Sequence, residues 1–419
     1  MKPDDSNKKS RFDQSLALFA RAAKVIPEGI YGHQNPAFVL PGACPYFVES
    51  AQGSRFRDVD GNTYIDFQCG YGPVVLGHAH PAVEKAVSEQ LQKGACFSHP
   101  DKIMVQLAEH LTELIAIAEW AIFAKNGSDV TTYSIRVARE FTGRKKIIMA
   151  GGAYHGAHAW CTAYPGGVLP EESANICHIR WNRLDDIETC VAENRDQIAG
   201  IILTPYHHPT YAIQELPADG FWKGVRNICN RENIVLILDD IRAGFRLDVH
   251  GSQAAFGIDP DIVCYAKAMA NGYPISTAVG RQKFREAAEQ VFFAGTFWFA
   301  PAPMAAALAT LHILETENTI AEMQRLGKRL KDGLEEIGAA QRFRVTVSGP
   351  PALPYMTFDD HPDLYHMQVF CREMIAMGIF LHPHHNWFIC GAHTDTDIDE
   401  TLDKAEIAFR KVKKELGTQ

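Results

Sequence analysis

A lysine, an aspartate, a tyrosine and a turn of small residues stand at points along the chain where each could meet a ligand. Lys267 lies in DIVCYAKAMANGYP, just after an apolar run and with no acidic neighbour in sequence. A lysine amine taken out of water loses its proton readily and becomes a usable nucleophile. Asp239 closes the run IVLIL. A carboxylate there is costly without a cationic partner, and a protonated pyridine nitrogen is such a partner. Asn126-Gly127-Ser128-Asp129 falls between the run WAIFAK and a helical stretch. Small residues at a strand-to-helix turn expose backbone N–H groups at a helix N-terminus, which suits a phosphate. Tyr154-His155 follow the run KKIIMA and a glycine pair, and a tyrosine there can stack on a flat aromatic ligand.

Each has a plainer reading. Lys267 could be a surface lysine, Asp239 an ion pair or helix cap, Ser128 an N-cap with Asp129 in the first turn, and Tyr154 a packing residue. One at a time, the plainer readings hold at least equal ground. The combination reads differently. An anion cradle, an aromatic platform, a buried acid and an apolar-flanked lysine, in that order, are what a phosphorylated pyridine aldehyde held as a Schiff base requires.

The elements that would position these residues follow from periodicity. WAIFAK, KKIIMA, AGIILTP, NIVLILDD and DIVCYA alternate with helical patterns, including one over residues 130–141. Alternation of this kind implies a mostly parallel sheet covered by helices on both faces, with ligands at the carboxyl ends of the strands. Upstream, apolar positions from Gln14 to Val25 have helical spacing, and YFVESAQGSRFRDVDGNTYIDF reads as antiparallel strands with a hairpin turn at Asp60-Gly61-Asn62. Helices are expected over residues 82–93 and 102–117. A long helical stretch over 303–337 leads to a smaller lobe with RVTVSG, LPYMTF and GIFLHP as strands. The expected division is an N-terminal segment (1–80, part of the small lobe), a large ligand-binding domain (81–305) and a C-terminal small α/β domain (306–419).

Composition narrows the function. A net charge of −9 offers no broad basic face, which argues against nucleic acid as a partner. No apolar run approaches the length of a membrane span, and the polar start MKPDDSNKKSRFDQ lacks a signal core. The ten cysteines form no CxxC pair, which fits reduced thiols in a cytoplasmic enzyme. His382-Pro383-His384-His385 and His207-His208 invite a metal reading, but Pro383 breaks a regular helical pair and no carboxylate or thiol sits at ligand spacing, so no metal is expected.

At these residues the sequence resembles the class III pyridoxal-phosphate aminotransferases, and within them the glutamate-1-semialdehyde aminomutase branch. The matching stretches include DVDGNTYIDF, GYGPVVLGHAHPAV, NGSDVTTYSIRVAREFTGRKKI, GAYHG, LILDDIRAGFR, YAKAMANGYP, AGTFWFAPAPMAAA and GAHTDTDIDETL, and they run almost end to end. The resemblance implies a fold-type I α/β enzyme with a mostly parallel seven-stranded sheet, and a homodimer with its active site at the subunit interface. It implies pyridoxal 5′-phosphate as cofactor, with Lys267 as Schiff-base lysine and proton shuttle and Asp239 on the pyridine nitrogen. Tyr154 and Ile241 would flank the ring, beside His155. Gly127 and Ser128 would hold the phosphate, and Thr296 would reach the phosphate of the neighbouring subunit. The reaction implied is transfer of an amino group between an amine or amino acid and a keto acceptor. An aminomutase, racemase or epimerase would use the same Lys267 and Asp239.

The chain departs from the aminomutase branch at several positions. Phe38 stands where a carboxylate-binding arginine is expected, and HPHHNWFICGAHT is shorter and lacks a glutamate. These changes argue against glutamate-semialdehyde isomerisation. Thr204-Pro205 replaces Glu-Pro, and Arg242 stands where Met or Gln is expected. Arg242 is a candidate carboxylate clamp, or else the partner of Asp240 or another acid in an ion pair. The aromatic residues Phe38, Tyr71, Trp160, Phe297 and Trp298 suggest a substrate pocket for a bulky or apolar donor, or else core packing.

Overall fold

In the computed structural model, residues 11–32 and 35–417 are described. The first ten residues of the polar start and of segment 1–80, and the first two of HQNPAFVLP, lie outside the described residues. Strands β1 (Val48–Gln52), β2 (Arg55–Asp58) and β3 (Thr63–Asp66) form an antiparallel meander. Gly61, at φ +87°, makes the β2–β3 turn as its sequence predicts. Next come β4 (Trp120–Ala124), β5 (Lys146–Ala150), β6 (Ile176–Ile179), β7 (Ile198–Leu203), β8 (Val235–Asp239), β9 (Ile262–Tyr265) and β10 (Ser276–Gly280). They build one seven-stranded sheet in the order β4-β10-β9-β8-β7-β5-β6, and only β10 runs against the rest.

Alternate residues of the central strands serve two cores. On β5, Ile147 and Met149 face one core while Ile148 and Ala150 face the other. On β8, Val235 and Ile237 share a side, and Leu236 and Leu238 take the opposite one. The helix Gly127–Thr142 packs on the first side through Val130, Tyr133 and Val137. The helix Phe221–Glu232 packs on the second through Trp222, Val225 and Ile228. Burial on both faces is why these strands read as continuous apolar runs.

The C-terminal part of the chain holds a hairpin, β11 (Val345–Ser348) with β12 (Tyr355–Phe358), and a short strand β13 (Ile379–Phe380). β13 pairs in parallel with β3, so both ends of the chain contribute to a four-stranded sheet. The long helical stretch is two helices, Pro301–Thr316 and Thr319–Ala340. Glu317 turns extended between them and Asn318 opens the second. The helix placed over 130–141 starts earlier, at Gly127, so the small-residue turn is itself the helix N-terminus.

Candidate active site

Five strands end at one cleft of about 470 Å³. β4 delivers Asn126, Gly127 and Ser128; β5 delivers Tyr154 and His155; β7 delivers Thr204 and His208; β8 delivers Asp239, Ile241 and Arg242; β9 delivers Lys267. All stand at carboxyl ends, where a parallel sheet leaves room for a ligand.

Period-2 alternation decides which acid faces the cleft. Asp239 follows Val235 and Ile237 on the side of the helix Gly127–Thr142, whereas Asp240 follows Leu236 and Leu238 on the other. Asp239 is buried. Its Oδ2 lies 2.7 Å from His155 Nδ1, and its Oδ1 accepts from the N–H of Ile241 at 3.2 Å. His155 Nε2 is buried without a partner. Asp240 accepts from the N–H of Ser252 at 2.8 Å, away from the cleft.

Lys267 begins a 3-10 turn, Lys267–Ala270, at φ +48°, a conformation that side-chain-bearing residues seldom hold unless the surroundings impose it. Asn271 is one such constraint. Its amide accepts from the N–H of Val75 and Leu76 and donates to the carbonyl of Gly77. Burial is the main force lowering the Lys267 pKa to about 7. The charges of Arg242 and Arg246 act the same way, while Asp239 opposes them. Near neutral pH a large share of this amine is therefore uncharged.

The N–H groups of Gly127 and Ser128 belong to the first helical turn and have no intrahelical acceptor. Asp129 folds back to accept from Asn126 N–H at 2.9 Å, which keeps its charge on the cap. Ser128 Oγ accepts from the N–H of Ala157 at 3.0 Å. Backbones approach closely here. A Cβ on Gly127 would come within 2.6 Å of Ile241 Cδ1, and one on Gly156, at φ +129°, within 2.4 Å of Ser128 Oγ. A narrow cradle of free N–H groups, a buried carboxylate and a partly neutral lysine amine together match a ring that carries a phosphate, a basic nitrogen and an aldehyde.

The expected aromatic wall does not form in this chain's cleft. Phe38 is 68% exposed on the short helix Pro36–Val39, which buries Val39 instead. Tyr71 lines a separate niche with Leu40 and His382, edge-on to the rings of His382 and His385. Trp160 packs behind the site, donating from Nε1 to Thr132 Oγ1 at 2.8 Å. Trp298 lines a groove elsewhere with Thr296, and Phe297 is exposed. Among the described residues Arg242 forms no ion pair with Asp240: Asp240 accepts from the N–H of Ser252, and Arg242 Nη1 donates to Asn386 Oδ1 at 2.9 Å. Thr204 and His208 line the wall as well; the sequence reading gave Thr204 no contact and His208 only a site-lining or surface role, and the signal for both is their place in the loop after β7.

Burial pushes the carboxyl of Asp240 up to about 8. An unfolded aspartate titrates near about 3.9. The folded state thus holds a proton that the unfolded state lacks between those values. The resulting stability is full below about pH 4 and is lost as pH rises through about 8. Asp240→Asn removes this titration and keeps the shape. Melting curves between about pH 5 and 9 should fall less steeply for the variant than for the parent; parallel curves would show that Asp240 ionises normally.

Three comparisons place the chain among known proteins. The family model described as Aminotransferase class-III matches residues 40–404. The 3-aminobutyryl-CoA aminotransferase of Cloacimonas acidaminovorans (strain Evry) is 37% identical over 97% of this chain and 99% of its own length. The aminopentol aminotransferase of Sphingopyxis macrogoltabida is 36% identical over 96% of this chain and 95% of its own. Among solved structures, the FumI protein of Sphingopyxis sp. MTA144, in a form described as a PLP internal aldimine, superposes with a TM-score of 0.94. It is 36% identical, over 96% of each chain.

Proposed function

Because the chain belongs to the class III aminotransferases, we propose that Lys267, Asp239 and the Gly127–Ser128 turn carry its amino-group transfer. Pyridoxal phosphate, its cofactor, supplies an aldehyde that takes up the amine and a ring that absorbs the electron pair released at the substrate carbon. The remaining roles belong to the protein. Lys267 Nζ would hold the aldehyde covalently, and when its amine is free it would take up the proton that leaves the substrate carbon. Asp239 Oδ1 would accept from the protonated ring nitrogen, with His155 fixing the other oxygen of Asp239. The N–H groups of Gly127 and Ser128 would hold the phosphate. Tyr154 and Ile241 would flank the ring. The observation that carries this reading is the convergence, in one cleft, of a lysine with a depressed pKa and a buried carboxylate.

The donor we propose is an amine larger than a simple α-amino acid. Two relatives, a 3-aminobutyryl-CoA aminotransferase and an aminopentol aminotransferase, support this size class. A panel of amines added without an acceptor tests both points. An amine that converts the bound aldehyde form to the amine form, read by absorbance, identifies the donor class. Isomerised substrate with no keto product would instead favour the aminomutase alternative.

The depressed pKa makes a kinetic prediction. Cofactor-free protein should capture the aldehyde about tenfold faster per pH unit up to roughly pH 6.5, because the neutral amine grows at that rate below its pKa. The rate should level off above about pH 8. A rate still climbing beyond about pH 9 would show an ordinary lysine.

The same proposal includes a homodimer in which Thr296 reaches the partner's phosphate. Thr296 lies outside its own chain's cleft, beside a groove of about 640 Å³ lined by Phe293, Trp298 and Phe299, with Phe292 82% exposed nearby. An apolar belt of this kind favours association with a second copy. Light scattering reads the mass directly. A cytoplasmic location is proposed on the ten free cysteines. Among the described residues no helix is long and apolar enough to cross a membrane.

A further inference from the structure

Arg242 enters the cleft without an ion pair among the described residues; the charge of Asp239 favours it, but that carboxylate is already held by His155 and the N–H of Ile241. The only hydrogen bond of Arg242 among the described residues runs from Nη1 to Asn386, a neutral amide. Its Nε is buried without a partner. Arg246, four residues on, is satisfied by contrast: its guanidinium donates to the carbonyls of Gly72, Val74 and Ile389. A partly buried guanidinium without an ion-paired anion carries a desolvation cost, which an arriving anion offsets.

His208 stands on the same wall. It is 5% exposed, and neither ring nitrogen has a partner. Burial, with the charge of Arg242 beside it, keeps the imidazole neutral, so it can donate one hydrogen bond without adding charge. Both side chains line the cleft together with Lys267, and both line the small niche behind it with His384 and His385. Asn386 holds Nη1, which leaves the Nε–Nη2 edge of the guanidinium as a fork for two oxygens.

We propose that Arg242 and His208 form the carboxylate subsite of the keto-acid acceptor, with Arg242 gripping both oxygens through that edge and His208 donating to one of them. The proposal rests on the aminotransferase reading and adds the acceptor class to it. A guanidinium so placed could otherwise serve an anionic oxygen of the cofactor, and the test separates the two.

Holoenzyme is assayed with one amine donor against pyruvate and against propanal, which lacks the carboxylate. For Arg242→Met, the ratio of kcat/KM for pyruvate to that for propanal should fall roughly ten- to hundred-fold, with the change in the KM for pyruvate. Arg242→Lys should recover part of it, since charge returns without the fork. His208→Gln, which leaves the cation in place, should move the ratio less. Propionate, an unreactive probe, should bind the parent holoenzyme by calorimetry and lose affinity in Arg242→Met, and this arm needs no turnover. If transfer fails with both acceptors while propionate binding behaves as stated, the aminotransferase reading fails and the subsite stands. Equal losses for pyruvate and propanal, a shifted visible spectrum, or unchanged propionate binding would overturn the subsite and assign Arg242 to the cofactor or the fold.

Discussion

Lys267→Ala is expected to lower kcat by about 10⁴-fold or more, because one side chain provides both the nucleophile and the proton carrier. Alanine can do neither, and the rest of the cleft would still bind the cofactor without holding it covalently. The same change should stabilise the cofactor-free protein. Burial lowers the Lys267 pKa to about 7 because the charged form is disfavoured there, and alanine removes that cost. The two effects have opposite signs, so misfolding cannot imitate them. Single-turnover assays and melting curves measure them separately. A variant that keeps more than about a hundredth of parental turnover would remove Lys267 from its role.

Asp239→Asn should cost about 10²- to 10⁴-fold in kcat while leaving attachment of the cofactor at Lys267 intact. The amide keeps the size of the carboxylate but cannot balance a protonated ring nitrogen. Oδ2 is already engaged by His155 at 2.7 Å, which leaves Oδ1 and its single backbone contact to face the cleft. His155→Phe should therefore act through Asp239, with a smaller loss and an altered pH profile. Visible absorbance checks attachment and stopped-flow kinetics the chemical step. Equal activity in Asp239→Asn would mean that the carboxylate is a structural partner of His155 and nothing more.

Much of the cleft's lining was legible because the fold rule is local. Strands buried on both faces are written as apolar runs, and polar residues placed just after them fall at the cleft. Lys267, Asp239, Tyr154 and Ser128 were found in that way. β10 was not, because Ser276 and Thr277 are buried polar residues whose hydroxyls bond to the carbonyls of Asn126 and Ile122, so the strand carries no apolar run. β6 was missed because it is an edge strand of the sheet and only partly buried. Aromatic residues were harder to place, for a different reason. Their type speaks for contact but does not say with which surface, and Phe38, Tyr71, Trp160 and Trp298 each lie outside this chain's cleft. The partner of Arg242 could not be read either. It is Asn386, 144 residues on, which only the fold brings to the site.

The central claim is the bond to one particular amine, and borohydride trapping tests it most directly. Holoenzyme is reduced, digested and mapped by mass spectrometry. The account predicts the cofactor's mass on the peptide that contains Lys267, and its absence after an amine donor has been added without acceptor. Cofactor mass on a different lysine, or on none, would contradict it.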